Sequence, residues 1–171
     1  MKIKSLWYLI VAATALALAG CGSGGDASAP APLPAVNNSV AVVKLSVVGG
    51  GGNVEGIDVT FDLPSGVTVA ADANGSVSAA AITLQGVAGS SFKEAKYTAA
   101  TATTPGKVHI AMVSSTALVD GVFVTVNCDI ATGTTVPLSS FSNSLVESGA
   151  KVVDANGVPI TGATVTLNAV Y

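Results

Sequence analysis

Cys128 sits inside DGVFVTVNCDIATG (residues 120–133), a thiol in the middle of an alternating apolar series. Thiol chemistry needs a thiolate, and hence a neighbouring base or helix N-terminus that lowers the pKa, together with access for a substrate. No helical period lies near Cys128, and the chain has a single histidine, His109. A zinc site needs three or four nitrogen, sulfur or carboxylate ligands. A hydrolytic triad needs a nucleophile, a base and an acid that orients the base. One histidine without a recognisable motif around it supports neither. Cys128 is therefore expected in the core with its thiol reduced, and no metal, cofactor or catalytic residue is expected. His109 and Lys107, two residues apart on the polar side of one segment, are expected at the surface, with contact to a partner as their functional reading.

The remaining chemistry-bearing patterns are weaker. Asp58 and Asp62 share one face of an alternating segment, but four residues at strand rise separate their Cα atoms by about 13 Å. Paired glycosidase carboxyls lie about 5 to 9.5 Å apart. Asp72-Ala73-Asn74-Gly75 recurs as Asp154-Ala155-Asn156-Gly157. Neither copy carries the spaced oxygens and terminal Glu of a calcium loop, so turns of the type I′ or a related kind are expected. Gly49 to Gly52 lacks the Lys-Ser/Thr of a phosphate loop and reads as a flexible connection.

These residues must be carried by strands. Beyond the first twenty residues the hydrophobic period is almost everywhere two, in segments rich in Val, Thr and Ala and broken by Gly, Pro, Asn and Asp. Val43, Leu45 and Val47 face one way. So do Ile57, Val59, Phe61 and Leu63, then Val108, Ile110 and Met112. In the opening stretch Val122, Val124, Val126, Cys128 and Ile130 form one face, which sends Phe123, Thr125, Asn127 and Asp129 to the other. Phe123, Thr125 and Asn127 join Lys107 and His109 as expected binding residues. Val152 to Ile160 reads as a hairpin and Ala163 to Val170 as the last strand, while the Ala/Ser-rich stretch after Val69 has no clear period. Eight or nine short strands with one apolar face each need a second sheet to cover that face, which predicts an all-β, two-sheet sandwich over residues 40–171.

PGKVHIAMVSS, LVDGVFVTVNCDI, VPLSSFSNSLVESGAKVVDANGVPI and GATVTLNAV, in that order, resemble the second half of a cohesin module, and VEGIDVTFDLPSGVTV resembles its early strands. The resemblance implies a nine-stranded sandwich of jelly-roll topology, related in fold to carbohydrate-binding modules. It also implies a non-enzymatic role in binding a protein such as a dockerin. A single module attached by lipid departs from the multi-module scaffolds typical of the family. No short contact motif carries individual binding residues over.

The front of the chain sets an address. Lys2 and Lys4 precede an apolar run from Leu6 to Leu18, about 13 residues where a spanning helix needs about 20, so residues 1–20 read as a signal peptide. Leu18-Ala19-Gly20-Cys21 resembles the lipobox of bacterial lipoproteins, which implies cleavage before Cys21, lipidation of its sulfur and anchoring to a membrane by acyl chains. Gly22 after the cysteine resembles the Gram-negative signal for passage to the outer membrane. Residues 21–39 carry Pro30, Pro32 and Pro34 among Gly, Ser, Ala and Asn and read as a tether. Once Cys21 is acylated, Cys128 has no partner for an internal disulfide.

Downstream of the signal, five lysines stand against ten acidic residues, a formal charge of −5, and there is no Arg. Nucleic acid demands clustered basic residues and is not expected as a partner. The expected function is that of an exported, lipid-anchored, non-catalytic lipoprotein, at the cell surface or in the periplasm, whose module serves protein binding or extracellular assembly. The alternative is a carbohydrate-binding module on polysaccharide, weakened because the single tryptophan, Trp7, lies in the signal segment.

Overall fold

The computed structural model describes residues 40–142, 144–145 and 150–171. The expected signal peptide, Cys21 and the tether to residue 39 lie outside these residues. Among the described residues nine strands form in chain order: β1 (Val40–Val48), β2 (Val54–Leu63), β3 (Val67–Thr68), β4 (Ile82–Leu84), β5 (Phe92–Thr98), β6 (Gly106–Leu118), β7 (Gly121–Ile130), β8 (Lys151–Val153) and β9 (Thr164–Val170). A four-residue helix, α1 (Ser139–Ser142), precedes β8.

The strands make two antiparallel sheets that pack as a sandwich. In the first, β1 lies between β7 and β9, and β3 and β4 both pair with the far side of β7. In the second the order is β5-β6-β2-β8. The alternating residues of β1 set the pattern: Ala41, Val43, Leu45 and Val47 are fully buried while their neighbours face out. Val59, Phe61, Val108 and Ile110 answer them from the second sheet, and the inner faces merge into one apolar cluster. Each Val, Leu, Ile or Phe so buried contributes about 1.5–3 kcal/mol, which is why a two-residue period suffices to fix the faces.

Two places depart from simple alternation. β7 expects Phe123 on the outer face; the structure places it in the core, 2% exposed, and turns Val122 outward at 41%. The cause is a bulge. Leu45 faces Val124 and Ser46 faces Val122, so Phe123 has no counterpart on β1. One extra residue in a strand rotates the following side chain to the opposite face, and here the larger apolar group goes inside. Its carbonyl accepts a hydrogen bond from the Gln85 backbone amide (2.8 Å).

The second departure is a lateral seam. β8 pairs only with Gly56, Ile57 and Asp58 of β2. Beyond it the edge of β2 is taken by the chain after α1, where Asp62 N donates to Ser144 O (2.7 Å) and Phe61 bridges Leu145. Phe141, fully buried on α1, joins the apolar core from a helix that packs against β9. A helix this short carries no period that sequence could reveal.

The connection Gly49 to Gly52 is a fixed turn rather than a loose link. Asp120, between β6 and β7, accepts hydrogen bonds from Gly49 N (2.8 Å) and Gly50 N (3.0 Å). Gly49 has a φ of +78°, and a Cβ there would stand 2.6 Å from the Gly162 carbonyl oxygen. The glycine run is therefore a packing requirement at its first position.

Candidate functional site

The expected binding residues divide between opposite faces of the sandwich. Lys107 and His109 of β6 point outward from the second sheet. Thr125 and Asn127 of β7 point outward from the first, and Phe123 lies inside between the two. The structure thus does not bring the five together.

On the second sheet, strand register builds a patterned charged surface. His109 stands opposite Thr60 and Lys96, Lys107 opposite Asp62 and Thr98, and Ala111 opposite Asp58 and Glu94. Lys107 Nζ donates to Asp62 Oδ1 at 2.8 Å. His109 Nε2 lies diagonally 3.1 Å from Asp58 Oδ1, and Lys96 Nζ lies 3.0 Å from Glu94 Oε1. All six groups are a third or more exposed, so each pair adds about 0–1 kcal/mol to stability. Three neighbouring strands, β5, β6 and β2, thus carry these paired charges on their outer face. Sequence reasoning placed Lys107 and His109 outside but did not pair them with Asp62 and Asp58. The missing signal was which strand lies beside β6.

On the first sheet the expected residues are occupied with structure. Thr125 Oγ1 accepts from Gln85 Nε2 (3.4 Å) and donates to Thr83 O (3.5 Å), and Asn127 Nδ2 donates to Ala80 O (3.3 Å). A shorter bond, Asn127 N to Ala81 O at 2.8 Å, fixes the same segment. Together they hold residues 80–85 against β7.

Cys128 is fully buried and faces Ala41 across the β1–β7 ladder. Burial first, and the neighbouring Asp129 carboxylate second, push its thiol from 9.0 up to about 12. At neutral pH it is a protonated, enclosed thiol, the opposite of what nucleophilic chemistry requires.

The repeated Asp-Ala-Asn-Gly sequence folds the same way twice. Asp72 Oδ1 accepts from Asn74 N (2.8 Å) and Ser76 N (2.9 Å). Asp154 Oδ1 accepts from Asn156 N and Val158 N (both 2.9 Å). The glycine amide closes each turn onto the Asp carbonyl, with Gly75 and Gly157 at φ of +80° and +75°. These amide bonds, Val158 before Asn156, hold the Asp154 carboxyl below its usual range. One carboxylate oxygen in each turn is thus spent on backbone amides. Among the described residues no three His, Cys, Asp or Glu side chains gather as metal ligands. Beside the first turn, Val69, Asp72, Asn74, Tyr97 and Thr98 line an open surface hollow of about 430 Å³.

These features define a class: a nine-stranded, two-sheet antiparallel β-sandwich with one charged and one largely uncharged outer face. No family model, curated protein or solved structure matches the chain.

Proposed function

We propose that the chain is an exported, lipid-anchored lipoprotein that presents a cohesin-like, non-catalytic module for binding a protein, dockerin-like or otherwise, or for extracellular assembly. The observation that carries this reading is the outer face of the second sheet. Asp58, Asp62, Glu94, Lys96, Lys107 and His109 hold a regular charge pattern there that contributes little to folding, and complementary charge is what selects and orients a protein partner. The lipobox-like Leu18-Ala19-Gly20-Cys21 supports the anchor and an outer-membrane or cell-surface address. The tether, about 18 residues at about 3.1 Å each, would let the domain reach about 50 Å from the bilayer.

The full chain, used as bait against the secreted and surface proteins of its own cells with and without calcium, is expected to retain a protein. The Lys107→Glu/Asp62→Lys pair of single variants should each lose at least ten-fold in retention, while Thr125→Ala leaves it unchanged. Equal retention by all three variants would remove the second sheet from the reading. A fatty-acid analogue should label the wild type and not Cys21→Ser; an unlabelled wild type in the medium would sink the anchor.

A second reading, attachment to polysaccharide, is favoured by the hollow beside Tyr97, where an aromatic ring stands next to Asp72, Asn74 and Thr98. Retention on insoluble polysaccharide alone, lost in Tyr97→Ala, would replace the first reading with this one.

A further inference from the structure

In an Asn-Gly pair the glycine amide can attack the asparagine side chain, because glycine carries no Cβ to block the approach. The glycine nitrogen gives up its proton and bonds to Asn Cγ, the Cγ–Nδ2 bond breaks, and the side-chain nitrogen leaves as ammonia. Water then opens the cyclic imide at either of its carbonyls. The product is an aspartyl residue, or an isoaspartyl one with an extra methylene in the main chain. The attack needs a glycine amide free of other bonds, so a turn that holds it must first open locally.

The chain carries this pair twice, at Asn74-Gly75 and Asn156-Gly157, in the same four-residue turn. Both asparagines are exposed, and Gly75 N and Gly157 N donate to the carbonyls of Asp72 and Asp154 at 3.0 and 2.9 Å. Their surroundings differ. The first turn is stitched to the edge of β5: Tyr97 N donates to Gly75 O (2.7 Å), Val77 N donates to Ala95 O (2.9 Å), and a Cβ at Gly75 would stand 2.7 Å from the Tyr97 carbonyl oxygen. Opening it therefore strips a strand edge as well. The second turn is the tip of a hairpin whose residues from Ala155 to Pro159 are all exposed. Among the described residues, the bonds that hold this tip run within the hairpin itself, from Asp154 N to Val158 O (3.0 Å), from Gly157 N to Asp154 O and from two amides to the Asp154 carboxylate. A Cβ placed at Gly157 would meet nothing within 4 Å.

We infer that Asn156 is a site of spontaneous deamidation in the folded protein, and that its twin Asn74 is protected by β5. The two extra backbone bonds of the first turn, at the usual net worth of such bonds, make its opening about ten-fold rarer or more. Conversion at Asn156 adds one negative charge to the tip of the hairpin that begins with β8. The isoaspartyl product also lengthens the main chain between Asn156 N and Val158 N, the two amides that Asp154 Oδ1 holds together, and so loosens the turn for good. The reaction needs only water and does not rest on the proposed partner.

Peptide mapping by mass spectrometry tests this on the full chain, incubated folded in mildly alkaline buffer and sampled over time. Conversion of amide to acid at Asn156 is expected to run about ten-fold faster than at Asn74, with isoaspartyl product among the peptides. In concentrated urea the two rates should converge, since the same four residues then meet only solvent. Asp154→Ala, shown to be folded by circular dichroism, removes the two carboxylate bonds and should speed conversion at Asn156. Asp72→Ala should leave Asn74 the slower site, because β5 still holds its turn. Equal rates in the folded chain, faster conversion at Asn74, a difference that survives in urea, or no acceleration in the folded Asp154→Ala chain would overturn the inference.

Discussion

Phe141→Ala is expected to remove about 3–5 kcal/mol of folding stability, the range for deleting a fully buried phenylalanine. It should appear as a lower urea midpoint with little change in slope. That loss is large beside the roughly 5–15 kcal/mol available to a domain. The reason is positional. Phe141 is fully buried in the core, and it is the one buried residue of a four-residue helix that has little stability of its own and packs against β9. Relaxation cannot easily refill the space, because the neighbouring strands are fixed by their own ladders. Phe141→Leu keeps most of the volume and is expected to cost less than half as much. A loss under about 1 kcal/mol for Phe141→Ala would mean that the core closes over the vacated space.

The second large effect is alkaline. The Cys128 thiol is neutral when protonated, and burial holds it so: folded, it ionises near 12, against 9.0 for the model thiol that stands for the unfolded chain. Its contribution to stability is complete below about pH 9 and is lost as pH rises toward 12, at about 1.4 kcal/mol per unit. Cys128→Val is expected to remove that slope while folding normally at neutral pH. Cys128→Ser puts a hydroxyl in an apolar site where the thiol's own acceptor, Val126 O, lies 3.9 Å away, too far for a hydroxyl's bond, and is expected to cost about 1–3 kcal/mol. A thiol reagent should label Cys128 only after unfolding. Rapid labelling of the native protein at neutral pH, or an unchanged alkaline slope in Cys128→Val, would mean that the thiol is not enclosed.

Both predictions show where sequence pattern is strong and where it stops. Cys128 was legible because it follows Val124 and Val126 at even spacing, and β1 and β2 were legible for the same reason: local alternation decides which face is apolar. Phe123 was misplaced by the same rule. Its direction depends on an extra residue relative to β1, and that mismatch exists only once the two strands are paired. β4 and the short helical turn at Gly86–Ser90 could not be read from a stretch of Ala, Ser and Gly, because small residues bury too little surface to mark a face. Phe141 was visible as an aromatic but not as core, since a helix of four residues has no period to show which side is buried. For the charged face, periodicity gave the outward direction of Lys107 and His109. The partners Asp62 and Asp58 came from the adjacency of β2 and β6, more than forty positions away in the chain.

The place of β1 in the first sheet has a mechanical consequence. The chain enters it at Val40, and the strand runs the length of the sheet between two antiparallel neighbours, β7 and β9. A pull on Val40 against a grip at the opposite end of the sandwich loads both ladders lengthwise. Their hydrogen bonds lie across the strands, so they are sheared together and must yield together. A pull between Val40 and Val170, which lie near each other at the same end, would instead unzip the β1–β9 ladder one bond at a time. The same fold would resist force passed through it from its far end to residue 40, and yield readily to force that separates the two strands at that end.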